Sequence, residues 1–186
     1  MNEYKDLQLD KAYRMLNHGP VVMLSTRSES GFFDIAPIAW NCPIKKNPPK
    51  LLFAVGKSHR TYKNIKETGV FAVCVPDASW ADFVRFCGSV SGDEEDKFEK
   101  LGRDTFSGEK TSCLIPSGLS GYIECSLSGE VEISSVSLIT GDALKAGFCR
   151  EAFSDRLRPE NEKGRTLHHL GGGEFAVLSG EVNSKK

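Results

Sequence analysis

A segment reading KSHRT, which begins at Lys57, combines side chains that bind anions. Ser58 and Thr61 offer hydroxyl donors, and Arg60 offers a planar guanidinium that can hold a phosphate by two hydrogen bonds. Lys57 and His59 could add positive charge. We predict that a helix starts here, because its unpaired N–H groups and partial positive charge would suit a phosphate. An ordinary helix cap with solvated Lys and Arg side chains explains the same pattern, so both interpretations stay open from spacing alone.

A second segment, DIAPIAWNCP at residues 34–43, could lie beside a flat heterocycle. Small residues such as Ala39 let a ring approach the backbone, and the Asn41 amide can donate to or accept from a ring edge. The segment continues through Trp40 to Cys42. The alternative is a core strand with a packed Trp40, which is favoured unless something links this segment to the phosphate site.

Two glycine-containing segments do not match nucleotide-binding motifs. GEKTS at residues 108–112 resembles the end of a Walker A loop, but five residues separate Gly102 from Gly108 and Glu109 stands before the lysine. We predict a polar loop there. The three glycines at residues 171–173 open a strand rather than a helix, so they are no dinucleotide fingerprint.

The histidines and cysteines do not form a metal-binding pattern. His168 and His169 are neighbours on opposite faces of a strand or turn, which favours packed or hydrogen-bonded side chains over a shared ion. The six cysteines include no CxxC pair. A chain of this length needs no disulfides, and nothing marks it for export, so reduced thiols in a cytoplasm are predicted and no metal site is expected.

The elements that must position these residues are mostly short strands. Strands are predicted over residues 21–25, 32–40, 51–55, 70–76, 121–134 and 141–149, with a glycine turn and a final strand within 167–182. Pro37 predicts that its strand is an edge strand or carries a bulge. Loops are predicted over residues 28–31, 43–49 and 154–166.

Four helices are predicted between these strands. They cover about residues 9–17, 57–69 with Gly69 at the end, a short helix opened by Ser79 and Asp82 and ending at Gly88, and a charged helix over 93–101. Short strands with separate helices indicate a mainly β fold, an antiparallel β-barrel with helical insertions rather than βαβ winding.

Length and charge limit the function classes. The 186 residues predict one domain over residues 1–186, and 24 basic against 25 acidic side chains give a net charge of −1. This balance argues against nucleic acid or a membrane surface as partner. No stretch reaches the roughly 18 apolar residues of a spanning helix, and the polar N-terminus is no signal peptide.

Residues 34–76 resemble the flavin reductase-like family, whose fold is the FMN-binding split barrel, an antiparallel Greek-key-type barrel. The resemblance is carried by DIAPIAWNCPIKKNPPKLLFAV, KSHRTYKNI and KETGVFAVCVP in this order, and by FCGSVSGDEEDKFEKLG at residues 86–102. Three later segments, ECSLSGEVEI, GDALKAGFC and LHHLGGGEFAVLSGE, fit its remaining strands. The similarity spans about residues 13–181 and is strongest to flavoredoxin-like members, which are small homodimeric FMN proteins.

The resemblance implies FMN contacts for a set of residues. These are Ser58, Arg60 and Thr61 at the phosphate, Ala39, Trp40, Asn41 and Cys42 along the flavin ring and ribityl chain, and Cys87, Gly88, Ser91 and Gly92 near the ring, with Asp96, Lys97 and Phe98 following. Two features depart from the family: Cys74, where relatives often carry Asn, and the acidic DEED at residues 93–96, where relatives often show a basic residue.

The function implied is an FMN-binding redox protein that accepts hydride from NAD(P)H, or electrons from a protein donor, and passes them to an acceptor. The redox chemistry belongs to the flavin, which the protein holds and tunes. A non-catalytic electron carrier, and a split-barrel protein that binds haem or another phosphate cofactor, are the alternatives. Cys42 and Cys87 fall near the expected flavin, but buried, inert thiols are the commoner outcome.

Overall fold

The computed structural model describes residues 4–16 and 19–182, and most of this chain is β-strand. The strands are β1 (Tyr4–Asp6), β2 (Val22–Arg27), β3 (Phe33–Ile38), β4 (Asn41–Lys46), β5 (Pro49–Gly56), β6 (Val70–Val75), β7 (Thr105–Ser107), β8 (Leu114–Pro116), β9 (Gly121–Ile133), β10 (Val136–Cys149), β11 (Leu167–Gly171) and β12 (Glu174–Val177). The α-helices are α1 (Arg60–Thr68) and α2 (Ala81–Ser89), and short 3₁₀ helices cover Leu9–Met15, Ala78–Trp80 and Glu162–Gly164.

Eight of the strands form one antiparallel sheet. Its order is β3-β2-β6-β9-β10-β5-β4, and β1 pairs with the far end of β10. The pairs β7–β8 and β11–β12 form two separate hairpins. This arrangement confirms the predicted mainly β, antiparallel fold with helical insertions.

The central strands are buried on both faces, which explains why their sequences are apolar without alternation. On β6, Phe71 and Val73 point into the cluster inside the barrel, whereas Ala72 and Cys74 point into a second cluster that includes Val84 of α2. Successive side chains of a strand point to opposite faces. The sheet therefore carries a core on each side, and α2 covers the outer one.

Proline positions mark both ends of the sheet. Pro37 lies in β3, which is an edge strand, so the prediction of an edge is confirmed. The loop predicted over residues 43–49 is wrong for its first part, because β4 pairs there with β5. The register shifts between Pro43 and Lys45, and β4 is the other edge, where a missing N–H costs no ladder bond.

The charged helix predicted over residues 93–101 does not form, and turns take its place. The Asp96 carboxylate accepts the N–H groups of Phe98 and Glu99 at 2.9 and 3.3 Å, which stabilises a turn instead of a helix. Lys97 is 3% exposed, whereas a solvated charged helix would leave it in water. The ion pair of Lys97 with Asp34 forms in place of the helix that the local sequence favours.

Other boundaries differ by a few residues or in type. The first helix is a 3₁₀ helix over Leu9–Met15, and its predicted end at Asn17 lies outside the described residues. The prediction that Ser79 and Asp82 open the second short helix is wrong. Asp77 caps the turn there by accepting the Ser79 N–H at 2.8 Å. The strand predicted from residue 141 begins at Val136.

The GEKTS segment is the predicted polar loop, and it holds an internal anion. The N–H groups of Lys110 and Thr111 donate to one Glu124 carboxylate oxygen at 2.7 and 2.9 Å, and the Glu109 N–H donates to the other at 3.2 Å. Glu124 is fully buried. The loop's resemblance to a phosphate loop therefore reflects the same backbone chemistry applied to the chain's own carboxylate.

Candidate functional site

The KSHRT segment connects β5 to α1. His59 is the N-cap residue in extended backbone, and no side chain caps the helix. The alternative of an ordinary side-chain cap is therefore wrong for this helix, and Thr61 Oγ1 instead donates to Asp34 Oδ2 at 2.8 Å. The N–H groups of the first turn of α1 lack an intrahelical acceptor and a side-chain cap, so they can bind an anion.

A cleft of about 470 Å³ opens at this helix start. Its walls come from β3, the start of α1, the end of α2 and the segment after α2. They include Ser58, Arg60 and Thr61 from the first predicted group and Cys87, Gly88, Ser91 and Gly92 from the second, together with Asp34, Ala36, Pro37, His59, Ser89, Val90 and Lys97. The structure thus brings together residues that are more than twenty positions apart in the chain.

Arg60 faces this cleft with part of its guanidinium engaged. One terminal nitrogen forms an ion pair with Asp93, and the guanidinium carbon lies 5.5 Å from the centre of the Phe32 ring. Its Nε is buried and has no hydrogen-bond partner. A buried donor without an acceptor is costly, and an anionic ligand in the cleft would supply the acceptor that the Arg60 Nε lacks.

A second cation lies deeper in the cleft. The Lys97 ammonium is 2.9 Å from Asp34 Oδ1, and the two side chains are 3% and 1% exposed. The family resemblance places Lys97 just after the residues expected near the ring, and it gives Asp34 no role. The signal available was the Asp-Lys-Phe block, but its charges fitted a solvated helix equally well.

Cys87 lies in the same cleft wall as an un-ionised thiol. Burial raises its pKa to about 12, against an opposing effect of Lys97. Cys74, which departs from the family pattern, is fully buried in the outer core, and burial raises its pKa as well. Neither thiol is a thiolate at neutral pH.

The cleft continues into a groove along β3. Pro37, Ser58 and His59 also line a neighbouring cavity of about 480 Å³, whose other walls include Ala39 and Trp40. Trp40 is 75% exposed, and β3 ends before it at Ile38, so the alternative of a packed core tryptophan is wrong. A third cavity of about 550 Å³ shares Pro37, Ala39, Gly88 and Ser89 and is bounded by Arg85, His169 and Phe175.

Asn41 and Cys42 lie at the margin of this groove and are absent from its lining residues. The Asn41 amide nitrogen donates to the carbonyls of Pro20 and Ile38 at 2.9 and 3.1 Å, so its N–H groups hold the corner between β3 and β4. Cys42 is exposed on β4. Their side chains as flavin contacts stay a prediction.

The residues present fit a flavin mononucleotide. Free N–H groups at the start of α1, the unpartnered Arg60 Nε and the Ser58 hydroxyl suit the phosphate. The adjoining groove, walled by Ala39 and Trp40, offers apolar surface for a flat ring. An antiparallel sheet with this cleft and groove is the arrangement that the resemblance to the FMN-binding split barrels implies.

Sequence comparison agrees with this class. Residues 14–168 match the family described as the flavin reductase like domain. The chain therefore belongs to the flavin reductase-like family.

Individual proteins are similar to this chain over most of its length. The chain is 31% identical to YddH of Escherichia coli (strain K12) over 97% of both chains. The solved FMN-binding domain of a flavin reductases-like enzyme from Shewanella baltica superposes with a TM-score of 0.88, at 26% identity over 98% of this chain and 97% of that one. Flavoredoxin of Desulfovibrio vulgaris gives a TM-score of 0.79 at 22% identity over 90% of each chain.

Within the described residues, no helix is long and apolar enough to cross a membrane. No group of three His, Cys, Asp or Glu side chains in that part of the chain could hold a metal ion. All six cysteines are free.

Proposed function

We propose that the protein binds FMN in this groove and acts as an NAD(P)H-dependent flavin oxidoreductase that passes electrons to an acceptor. The observation that carries the proposal is the convergence of Ser58, Arg60 and Thr61 with Cys87 and Ser91 on one cleft at an uncapped helix start. FMN supplies the hydride-accepting chemistry, and the chain binds and orients it.

The chain's own residues then have distinct tasks. The first turn of α1, with Ser58 and Arg60, binds the phosphate, while Thr61 holds Asp34 in place from the same helix. Ala39 and Trp40, with the backbone of Asn41 and Cys42, flank the ring and ribityl chain. A side chain at position 88 would crowd the groove, because a Cβ added to Gly88 would lie 3.2 Å from Pro37 Cγ. Hydride transfer to a flavin requires no protein base.

The test is the visible spectrum of the purified full chain with added FMN, followed by anaerobic stopped-flow mixing with NADH and, separately, NADPH. We expect flavin absorption bands that bleach with at least one nicotinamide. A protein that binds FMN but is bleached by neither nicotinamide would be an electron carrier between protein partners. A colourless protein that does not bind FMN would contradict the proposal, and a Soret band would favour a haem-binding relative.

We also propose, from the family resemblance, that the protein is a cytoplasmic homodimer whose second subunit completes the groove. Of the two cysteines predicted near the flavin, Cys42 is exposed and Cys87 is buried, and an exposed free thiol suits a reducing compartment. Neither nucleic acid nor a membrane is proposed as partner.

A further inference from the structure

The third cavity, of about 550 Å³, lies between α2 and the β11–β12 hairpin, and the proposed function gives it no ligand. Its volume is in the range of pockets that bind a small organic molecule. Val21, Val84 and Phe175 give it apolar walls. The cavity therefore suits a ligand with an apolar body.

The charge around this cavity has one sign. Among the described residues that line it, none is acidic, and Arg85 of α2 carries a permanent positive charge. Arg85 is exposed, and within residues 4–16 and 19–182 its guanidinium forms neither an ion pair nor a hydrogen bond. A guanidinium with free donors can bind a carboxylate by two parallel hydrogen bonds. The cavity therefore favours a ligand with an anionic end.

The turn of the β11–β12 hairpin leaves room for this guanidinium. Gly171 and Gly172 have positive φ angles of 123° and 57°, which explains a glycine at these two positions. Gly173 does not have a positive φ, but a Cβ added to it would lie 2.9 Å from Cζ and from Nε of Arg85. The absence of a side chain at Gly173 thus lets the guanidinium pack against the turn.

Two aromatic rings form the hairpin side of the cavity. The centroids of the His169 and Phe175 rings are 5.7 Å apart, with the ring planes at 50°. His169 Nε2 donates to the Gly172 carbonyl at 3.1 Å, which holds the imidazole against the turn. Ring faces and edges of this kind pack well against a flat ligand.

We propose that this cavity binds an aromatic monocarboxylate, whose carboxylate pairs with Arg85 and whose ring packs between Phe175 and Val84. The inference goes beyond the proposed function, because every group it uses belongs to the protein. A single carboxylate is favoured over a phosphate monoester or a diphosphate, because one guanidinium balances one negative charge. Pro37 and Ala39 also line the proposed flavin groove, so the ligand would lie next to a bound flavin.

The experiment titrates the full chain with three probes by isothermal calorimetry. The probes are trans-cinnamate, its neutral amide cinnamide, and acetate, which has the carboxylate without the ring. We expect cinnamate to bind, cinnamide to bind about tenfold more weakly, and acetate to give no measurable heat, because the charge and the ring both contribute. Absence of cinnamate binding, or equal affinities for cinnamate and cinnamide, would overturn the proposal.

Variants test the two residues that present the charge. Arg85→Met should weaken cinnamate binding about tenfold and leave cinnamide binding unchanged, and Arg85→Lys should restore part of the loss. Gly173→Ala should also weaken cinnamate binding, because the added methyl group displaces the guanidinium. Its unfolding temperature should stay near that of the parent, since the flexible end of Arg85 can move.

Arg150→Met, in an exposed arginine just after β10, is the matched control and should bind cinnamate like the parent. Unchanged cinnamate affinity in Arg85→Met or in Gly173→Ala would refute the assignment of the carboxylate to this cavity.

Titrations with and without FMN separate this inference from the proposed function. A chain that binds cinnamate but not FMN would contradict the proposed function alone. If FMN displaces cinnamate, the probe lies in the flavin groove and the proposal is wrong. If Arg85→Met weakens the binding of NADH or NADPH and leaves cinnamate binding unchanged, Arg85 belongs to the site of the hydride donor, and the proposal is again wrong.

Discussion

Arg60 is shared between the cleft and an acidic neighbour. Asp93 forms ion pairs with Arg60 and, at 2.8 Å, with Lys63, and its backbone N–H donates to Ser91 Oγ at 3.1 Å. The hydrogen bond from Lys63, followed by the charge of Arg60, lowers the Asp93 pKa, so it is ionised at neutral pH. The acidic segment that departs from the family pattern therefore contacts two of the residues assigned to FMN.

We predict that Asp93→Asn strengthens FMN binding by about two- to fivefold, the scale of a solvent-accessible ion pair, without changing riboflavin binding. The reason is that the Asp93 carboxylate competes with the phosphate for Arg60 and repels it. Fluorescence titration measures the effect. Glu94→Gln removes an equal charge from an exposed neighbour and serves as control. Weaker FMN binding in Asp93→Asn would mean that Asp93 orients Arg60 instead.

The cleft thiol Cys87 has a pKa of about 12 because burial disfavours its thiolate. We predict that Cys87→Ser and Cys42→Ser each leave the rate of flavin reduction within about twofold, since a thiol that stays protonated is a poor nucleophile. Stopped-flow bleaching of the flavin measures this. A large loss of rate in Cys87→Ser at unchanged FMN affinity would assign the thiol a redox role.

At the scale of elements, α1 is fastened to the β9–β10 hairpin by one carboxylate. Glu130 on β9 accepts hydrogen bonds from Lys66 and Tyr62 of α1 and from Ser137 of β10. These contacts, led by Lys66, lower the Glu130 pKa from 4.5 to about 2. The helix at whose start the anion site is proposed is therefore bonded to the longest hairpin of the sheet through Tyr62 in its first turn and Lys66 near its end.

This pKa shift predicts the pH dependence of stability. The folded-state pKa lies below the unfolded value, so the stabilisation is complete above about pH 4.5 and is lost as pH falls toward about 2. Glu130→Gln should lower the unfolding temperature near neutral pH and flatten its decline over that acid range, as measured by thermal melts. Glu99→Gln, exposed on the surface, is the control. Parallel pH profiles for Glu130→Gln and the parent would contradict the assignment.

At the scale of the whole molecule, apolar side chains are exposed next to the groove. Val131 and Ile133 lie on one face of β9 and are 61% and 53% exposed. Ile133 pairs with Val136, which lines the same cavity as the exposed Trp40. Exposed apolar surface of this kind is typical of a protein interface.

We predict that the protein sediments as a dimer, at twice the 20.4 kDa of one chain. Val131→Lys/Ile133→Lys should shift it toward the monomer, because the two charges would be buried at the interface. Sedimentation velocity measures the shift, and Val182→Lys, fully exposed near the end of the described chain, is the control. A monomeric parent would remove both the dimer and the partner's proposed part in the groove.

The sequence by itself determined the elements with strong local patterns. The strands over residues 21–25 and 70–76, the edge strand at Pro37 and the helix ending at Gly69 all follow from apolar runs, proline and a left-handed glycine at φ 69°. The KSHRT segment predicted the proposed anion site because hydroxyls, a guanidinium and a helix start are local features, and anion binding there stays a prediction. That residues 1–186 form a single domain stays a prediction.

Only the tertiary structure decided which charges are buried and which local patterns are overridden. Lys97 and the Asp96 turn replace a plausible charged helix, because the ion pair with Asp34 exists only when β3 and the segment after α2 are folded together. The Asn41 amide is a group that could bind a ring edge, yet its nitrogen donates to the carbonyls of Pro20, just before β2, and Ile38, at the end of β3. Contacts between residues tens of positions apart depend on packing, and a sequence pattern read locally carries no information about them.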